Sequence, residues 1–338
     1  MNKTDIIGLD HGSGGLASQH LISGLFLKHL KSPLLHDMED CAVLEEYAGR
    51  IAITTDSYVV DPIFFPGGDI GELAVNGTIN DLAMRAARPI ALSLALIIEE
   101  GFSMSDLETL IISIARASEN AGVAVVTGDT KVVPKGKADG IFINTTGVGI
   151  TSHGLDISGK SAQPGDAVIL SGTLADHGIT IMSAQAGLTI SGDIKSDTQP
   201  LHRLVHRLLE EEPCSMHVFR DPTRGGLATS LCEIAQASKV TITIDEQQLP
   251  IRPSVNAACE MLGLDPLYLA NEGKCIMICD QECASDALAI MQQMPEGRDA
   301  AIIGKVTAEK AARVSLTTAI GGTRLLEPLA GAPLPRIC

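Results

Sequence analysis

Two rhythms of apolar residues divide the chain into strand-like and helix-like stretches. Ile90–Ile98 is an almost unbroken aliphatic run, the pattern of a strand buried on both faces. Ile51–Ser57 is rich in β-branched residues and ends in polar ones, and reads as a second strand. Residues 68–87 have helical spacing and close at Arg88-Pro89, because the residue before a proline is pushed out of the helical backbone region. Ser103–Asn120 places Leu107, Leu110, Ile111, Ile114 and Ala115 on one helical face, with Ser103 as N-cap and Gly122 past the end. Val123–Thr127 and Gly140–Ile150 complete this set of strands. Thr151–Asp166 (TSHGLDISGKSAQPGD) breaks the pattern and reads as a linker. Beyond it the spacing predicts a strand at Ala167–Ser171, helices at Leu174–Ala186, Leu201–Glu212 and Gly225–Ser238, and a strand at Val240–Ile244. The expectation is an α/β protein with domains at 1–155 and 156–326 and a tail at 327–338.

Composition narrows the picture. Hydrophobic residues make up 45% of the 338, with 33 Gly and no Trp, which suits aliphatic α/β layers joined by tight turns. The net charge of −16 argues against nucleic acid or an anionic membrane as a bulk electrostatic partner. It does not exclude a nucleotide held by a local glycine loop. No apolar run reaches membrane-spanning length, and MNKTDIIGLDHGSGG has no apolar leader core, so a cytoplasmic enzyme is expected. The eight Cys are scattered, which argues against a disulfide framework. Cys275, Cys279 and Cys283 lack a CxxC pair or a Cys/His quartet and read as buried thiols.

Four acids, Asp40, Asp56, Asp81 and Asp129, fall at ends of strands or starts of helices, and several are flanked by Gly, Thr or Asn. Each alone fits a cap or turn. Together they form a hard oxygen set suited to Mg²⁺, without which converging carboxylates repel one another. His11-Gly-Ser-Gly-Gly15 can fold its amides over phosphates or serve as a flexible leader. Lys131 lies two residues after Asp129, on the same face in a strand. Asn76 and Asn80 share a helix face, where their amides can orient ligand or serve packing. In Asp221-Pro-Thr-Arg-Gly-Gly226, Asp221 reads as N-cap with proline at the first helical position, while Arg224 and the glycine pair also permit a phosphate site. Glu272 sits in a polar turn, where it is either solvated or turned into a cleft. His177 opens a helix and reads as a cap or packing residue.

The last twelve residues, EPLAGAPLPRIC, hold three Pro and one Gly and end in a nucleophile, Cys338. Such an arm favours extended, semi-rigid conformations, and at about 3.1 Å per residue it reaches roughly a domain diameter. A frayed terminus accounts for the prolines but not for the terminal thiol.

The motifs HGSGG, TTDSYVVDPIFFPGGDIGELAVNGTINDLAMRAARP, VTGDTKVV, SGTLADHG, DPTRGGL, ANEGK and terminal PRIC cover nearly the whole chain. Taken together they resemble the HypE family of hydrogenase maturation factors. That family belongs to the superfamily of aminoimidazole ribonucleotide synthetase, selenophosphate synthetase and thiamine monophosphate kinase. The resemblance implies a two-domain PurM-like α/β (α+β) fold, an N-terminal sheet closing into a barrel in a homodimer, and a flexible C-terminal tail. It implies ATP and Mg²⁺, and ATP-dependent dehydration of a carbamoyl group on the terminal Cys to a thiocyanate, which supplies cyanide for [NiFe]-hydrogenase. The implied partners are the carbamoyltransferase HypF and the HypC–HypD complex. On this basis Cys338 carries the group, Glu272 is the base and Lys131 stabilises the phosphoryl group. Asp40, Asp56, Asp81 and Asp129 hold metal. Ser13, Gly14, Gly15, Asp56, Asn80, Asp81, Gly128, Asp129 and Asp221 contact the nucleotide. A selenophosphate synthetase is disfavoured because the first Cys, Cys41, is not near the N-terminus. A small-molecule kinase has no use for the terminal thiol, and a non-catalytic carrier has none for the acid–glycine set.

Overall fold

The computed structural model describes all residues except 1–5, 14, 37, 39–40, 153, 156, 189–193, 212–215, 310 and 331–335. The first half opens with short helices, α1 (Leu16–Leu21), α2 (Leu27–His29) and α3 (Pro33–His36). Strand β1 (Arg50–Tyr58) leads through a ribbon, β2 (Phe64–Phe65) and β3 (Gly68–Asp69), into α4 (Ile70–Ala83). Then come β4 (Arg88–Glu99), α5 (Met104–Ala121), β5 (Ala124–Val133) and β6 (Ile141–Thr151). The sheet order is β1-β6-β4-β5, with β4 parallel to β5 and the other pairs antiparallel.

The boundaries of α5 follow from its sequence. The Ser103 side chain accepts the Asp106 amide, and Gly122 takes a left-handed conformation just past the helix. Leu107, Leu110, Ile111 and Ile114 are fully buried against the sheet; each contributes about 1.5–3 kcal/mol by removal from water. Helix α4 is shorter than its spacing suggested: Asp69 caps its start by accepting the Gly71 and Glu72 amides, and past its end Ala86 turns left-handed at φ 53°.

Residues 152–166 contain no helix or strand among those described. The second half comprises β7 (Ala167–Leu170), α6 (Asp176–Gln185), α7 (His202–Glu211), β8 (Met216–Arg220), α8 (Gly226–Ser238) and β9 (Thr241–Asp245). It continues with α9 (Pro253–Leu262), β10 (Ile276–Cys279), α10 (Ala284–Gln292), β11 (Ala301–Thr307), β12 (Val314–Thr317) and β13 (Thr323–Leu326). Its sheet order is β13-β12-β9-β11-β7-β10-β8, antiparallel except for β12 beside β9. Separate cores cover its two faces, and one of them takes in Ala83 and Met84 from the first half.

Two expectations need correction here. Cys283, read as a thiol, is disulfide-bonded. Asp221 does not cap α8, which starts at Gly226 after Gly225 adopts a left-handed conformation at φ 76°. A Cβ on Gly226 would meet the Leu267 and Leu269 carbonyls at 2.6 Å, so the Gly-Gly pair makes the turn and leaves residues 221–224 as a loop.

Candidate functional site

The end of the tail is seated in the first half of the chain. Ile337 is buried in the same core as α4 and α5. The Val59 amide donates to the Cys338 main-chain oxygen at 3.1 Å, and the Asp61 amide to the Arg336 oxygen at 3.2 Å. Arg336 Nε donates to the Val59 oxygen at 2.8 Å, and its guanidinium pairs with Asp139 and lies 6.0 Å from the Phe142 ring centroid. His177 is fully buried; its Nε2 bonds the Ile337 oxygen at 2.7 Å and its Nδ1 bonds Ser196 Oγ at 2.8 Å. Burial holds His177 below its ordinary pKa, so the ring stays neutral and Nε2–H is the donor to the tail.

These contacts deliver Cys338 to a chamber of about 60 Å³ lined by Asp56, Tyr58, Asp81, Asp221, Arg224 and Glu272, with Ser57, Gly77 and Thr223. Asp56 comes from β1 and Asp81 from the last turn of α4, where Thr54 Oγ1 donates to it at 2.7 Å. Tyr58 leans on Gly77 so closely that a Cβ there would sit 2.3 Å from its hydroxyl. That hydroxyl donates to Asp56 at 3.3 Å. Asp221 follows β8, and Glu272 sits in the turn before β10. The Glu272 amide donates to Asp197 at 3.1 Å, and its carbonyl accepts from Asn80 at 3.2 Å.

The electrostatics follow from burial and from acids facing acids. Asp81 is raised to about 7, first by burial and then by the Asp221 and Asp56 carboxylates. Burial raises Asp221 to about 6. Glu272 is pushed well above the carboxylate range, by burial first and then by Asp197, Asp221 and Asp56. Its Oε1 is buried without a hydrogen-bond partner among the described residues. The Cys338 thiol is raised to about 11, mainly by burial and next by Glu272, while a hydrogen bond from Arg224 works the other way. A buried carboxyl raised above its ordinary range beside a tethered thiol is a candidate for proton transfer with a substrate group on that thiol.

The expected residues separate into two groups. Cys338, Glu272, Asp56, Asp81 and Asp221 meet in the chamber. Gly128, Asp129 and Lys131 lie on β5 and line a different cavity of about 250 Å³ with His11, Gly12 and apolar side chains such as Ile22, Phe26 and Leu94. Strands β1 and β5 are opposite edges of a four-stranded sheet, roughly 14 Å apart at ordinary strand spacing. Lys131 Nζ pairs with Asp129 at 2.7 Å in an exposed position, and Asp129 is held below its usual range chiefly by that hydrogen bond. Lys131 is therefore not the cation of the Cys338 chamber within one chain. Ser13 Oγ is exposed and donates to the Asp10 carbonyl at 2.9 Å, and Gly15 caps α1. Asn80, expected to contact nucleotide, instead spends its amide on the Gln199 and Glu272 carbonyls and the Leu201 amide, tying α4 to the second half. Asp40 and Gly14 lie outside the described residues. Arg224, read as permitting a phosphate site beside the glycine pair, lines the chamber, and His177, read as a cap or packing residue, holds the tail. Tyr58 and Asp197 complete the site, and for these two the sequence held no signal.

A chamber between two α/β layers, closed by the chain's own terminus, places the protein in the AIR synthase-related class. Family models described as the N-terminal and C-terminal domains of AIR synthase related protein match residues 38–151 and 163–317. Carbamoyl dehydratase HypE of Azotobacter vinelandii is 52% identical over the full length of both chains. A crystal structure of HypE in complex with ATP superposes with a TM-score of 0.94 at 51% identity, covering 98% of this chain and 99% of that one. A HypE chain from a HypE–HypF complex gives 0.80 at 46% identity, covering 91% and 99%. The chain belongs to the HypE family of carbamoyl dehydratases.

Proposed function

We propose that this chain dehydrates a carbamoyl group carried on the sulfur of Cys338 to a thiocyanate, consuming ATP, in the maturation of [NiFe]-hydrogenase. The observation that carries the reading is the seating of Cys338 beside Glu272. An amide oxygen is a poor leaving group, so the reaction needs it phosphorylated first. In the proposed sequence the carbamoyl oxygen attacks the γ-phosphoryl group of ATP, the co-substrate, and ADP departs. Glu272, buried in the chamber beside Cys338 and raised above the ordinary carboxylate range by burial, takes a proton from the carbamoyl nitrogen. Loss of the second nitrogen proton forms the third C–N bond as the C–O bond breaks and phosphate leaves. The net change is carbamoyl plus ATP to thiocyanate, ADP, phosphate and one proton.

The donor set of the chamber fits a hard divalent cation. Asp56, Asp81 and Asp221 line one chamber, and Asp81 is raised to about 7, first by burial and then by the Asp221 and Asp56 carboxylates. Mg²⁺ bound there would be held by Asp56 and Asp81 and would neutralise phosphate charge. Gly128, Asp129 and Lys131 line the β5 cavity on the opposite edge of the sheet from Cys338, so we assign them to the nucleotide as groups that a second copy of the chain would bring to the chamber. That cavity pairs an apolar wall with polar strand residues, as a nucleoside phosphate requires. Ile51 and Ile53 on β1 and Ile97 on β4 are exposed, which fits cover by a second copy in a homodimer. HypF as carbamoyl donor and HypC–HypD as acceptor belong to the same reading. No described helix is long and apolar enough to cross a membrane; a cytoplasmic site of action goes with these partners.

The test is the acceptor atom. Replacing Cys338 with Ser should abolish carbamoyl uptake on the C-terminal peptide, read by mass spectrometry; uptake elsewhere in that variant would remove Cys338 from the mechanism.

A further inference from the structure

Four carboxyl groups line the chamber, from Asp56, Asp81, Asp221 and Glu272, and Arg224 is its one cation among the described residues. Arg224 has no carboxylate within ion-pair distance among those residues, although Asp56 and Glu272 face it across the chamber. Instead its side chain lines the chamber together with Cys338, and its charge works against the rise in the thiol's pKa. The side chain leaves the end of a largely covered loop, Asp221–Arg224, whose course is set by the left-handed Gly225-Gly226 turn. The result is a planar, permanently charged fork with several N–H donors in the chamber that holds the sulfur.

A thiol does not need this partner. With its pKa raised to about 11, Cys338 is uncharged at neutral pH while seated, so Arg224 stabilises no thiolate there. The carbamoyl group places an oxygen two bonds from that sulfur, the same spacing at which a guanidinium fork offers a second N–H. Negative charge gathers on this oxygen as the nitrogen gives up a proton before the attack on phosphorus, and again on the departing phosphate oxygen as the C–O bond breaks; the acids around it oppose that charge. The lysine expected to supply a cation sits on the far edge of the sheet, paired with Asp129.

We propose that Arg224 is a catalytic residue of the dehydration, holding the carbamoyl oxygen on Cys338 through its phosphorylation and release. Two consequences follow from its chemistry. Arg224 stabilises the oxygen that gains the phosphoryl group and, once the C–O bond breaks, the departing phosphate; Glu272 takes the nitrogen protons. The fork also selects a planar S–C(=O)–N group over the bare thiol, because only the loaded tail supplies an acceptor for its second N–H.

The inference rests on the assignment of Cys338 as carrier, and the experiment separates the two. Protein is loaded with cyanate, which adds a carbamoyl group to thiols, and mixed with MgATP. The C-terminal peptide is followed by mass spectrometry in a single turnover. Arg224→Ala should retain ATP affinity within about threefold and lose water about 10²-fold more slowly, the usual loss for one donor to a developing oxyanion. Arg224→Lys, which keeps the charge but not the fork, should also be slow. Guanidinium added at sub-denaturing concentration should recover part of the rate of Arg224→Ala but none of that of Arg224→Lys. A second readout is independent of turnover: in unloaded Arg224→Ala, the apparent pKa of Cys338 alkylation should rise. If Arg224→Ala turns over within threefold of the parent, or guanidinium does not rescue it, the arginine assignment falls and the carrier assignment stands. If the loaded parent itself loses no water, the carrier reading falls.

Discussion

Truncating Ile337 to Ala tests whether the tail is held as described. The side chain is 5% exposed and packs in the core of the first half. The change removes three buried carbons, which at ~0.8 kcal/mol each is about 2.4 kcal/mol, or roughly a 50-fold shift towards the unseated tail. The assay is alkylation of Cys338 at about pH 8, read on the C-terminal peptide so that exposed Cys41 does not interfere. Seated, the thiol is raised from its ordinary 9.0 to about 11, so its thiolate fraction is on the order of 10²-fold below that of a free tail. The parent should react slowly, and Ile337→Ala should react up to about 50-fold faster, with that 10²-fold difference as ceiling. Equal rates in the two proteins would refute a seating held by the buried side chain.

Further outcomes follow from the same geometry. Glu272→Gln should leave ATP affinity within a few-fold and slow water loss by more than about 10²-fold, measured in a single turnover; full activity would remove Glu272 as base. Seating favours the neutral thiol, because its pKa is raised on burial. It should be unaffected below about pH 9 and weaken as pH climbs towards about 11, followed by loss of protection of the Val59 amide in hydrogen exchange. Asp81 is likewise a group raised in the folded state, here to about 7. Its contribution to stability is present below its ordinary 3.8 and lost as pH rises through 7. Melting curves of Asp81→Asn should therefore gain on the parent over that range, and Mg²⁺ should raise the melting temperature of the parent more than that of the variant.

How far the chain was legible before its fold was seen depends on where each signal lies. Local signals translated directly. The stripe from Leu107 to Ile114 with its Ser103 cap gave α5, and the aliphatic run at Ile90–Ile98 gave β4. Non-local signals did not. Asp221 followed by proline has the local grammar of a helix start, yet the Gly225-Gly226 turn moves that start to Gly226 because two carbonyls crowd the second glycine. The Asn80 amide could be placed on a helix face, but its partners are carbonyls some 119 and 192 residues away. Asp129 and Lys131 were correctly put on one strand face, while strand order decides that this face is an edge remote from Cys338. The tail showed its prolines and its thiol but not its berth, which is assembled from Val59, Asp61 and His177. Only the family resemblance, carried by motifs spread over the whole chain, bridged those distances.

The most direct test of the central claim is the mass of the C-terminal peptide after carbamoyl-loaded protein meets MgATP. The account predicts loss of one water from Cys338 with one ATP consumed per chain. ATP consumption without that loss, or loss of water from any other residue, would contradict it.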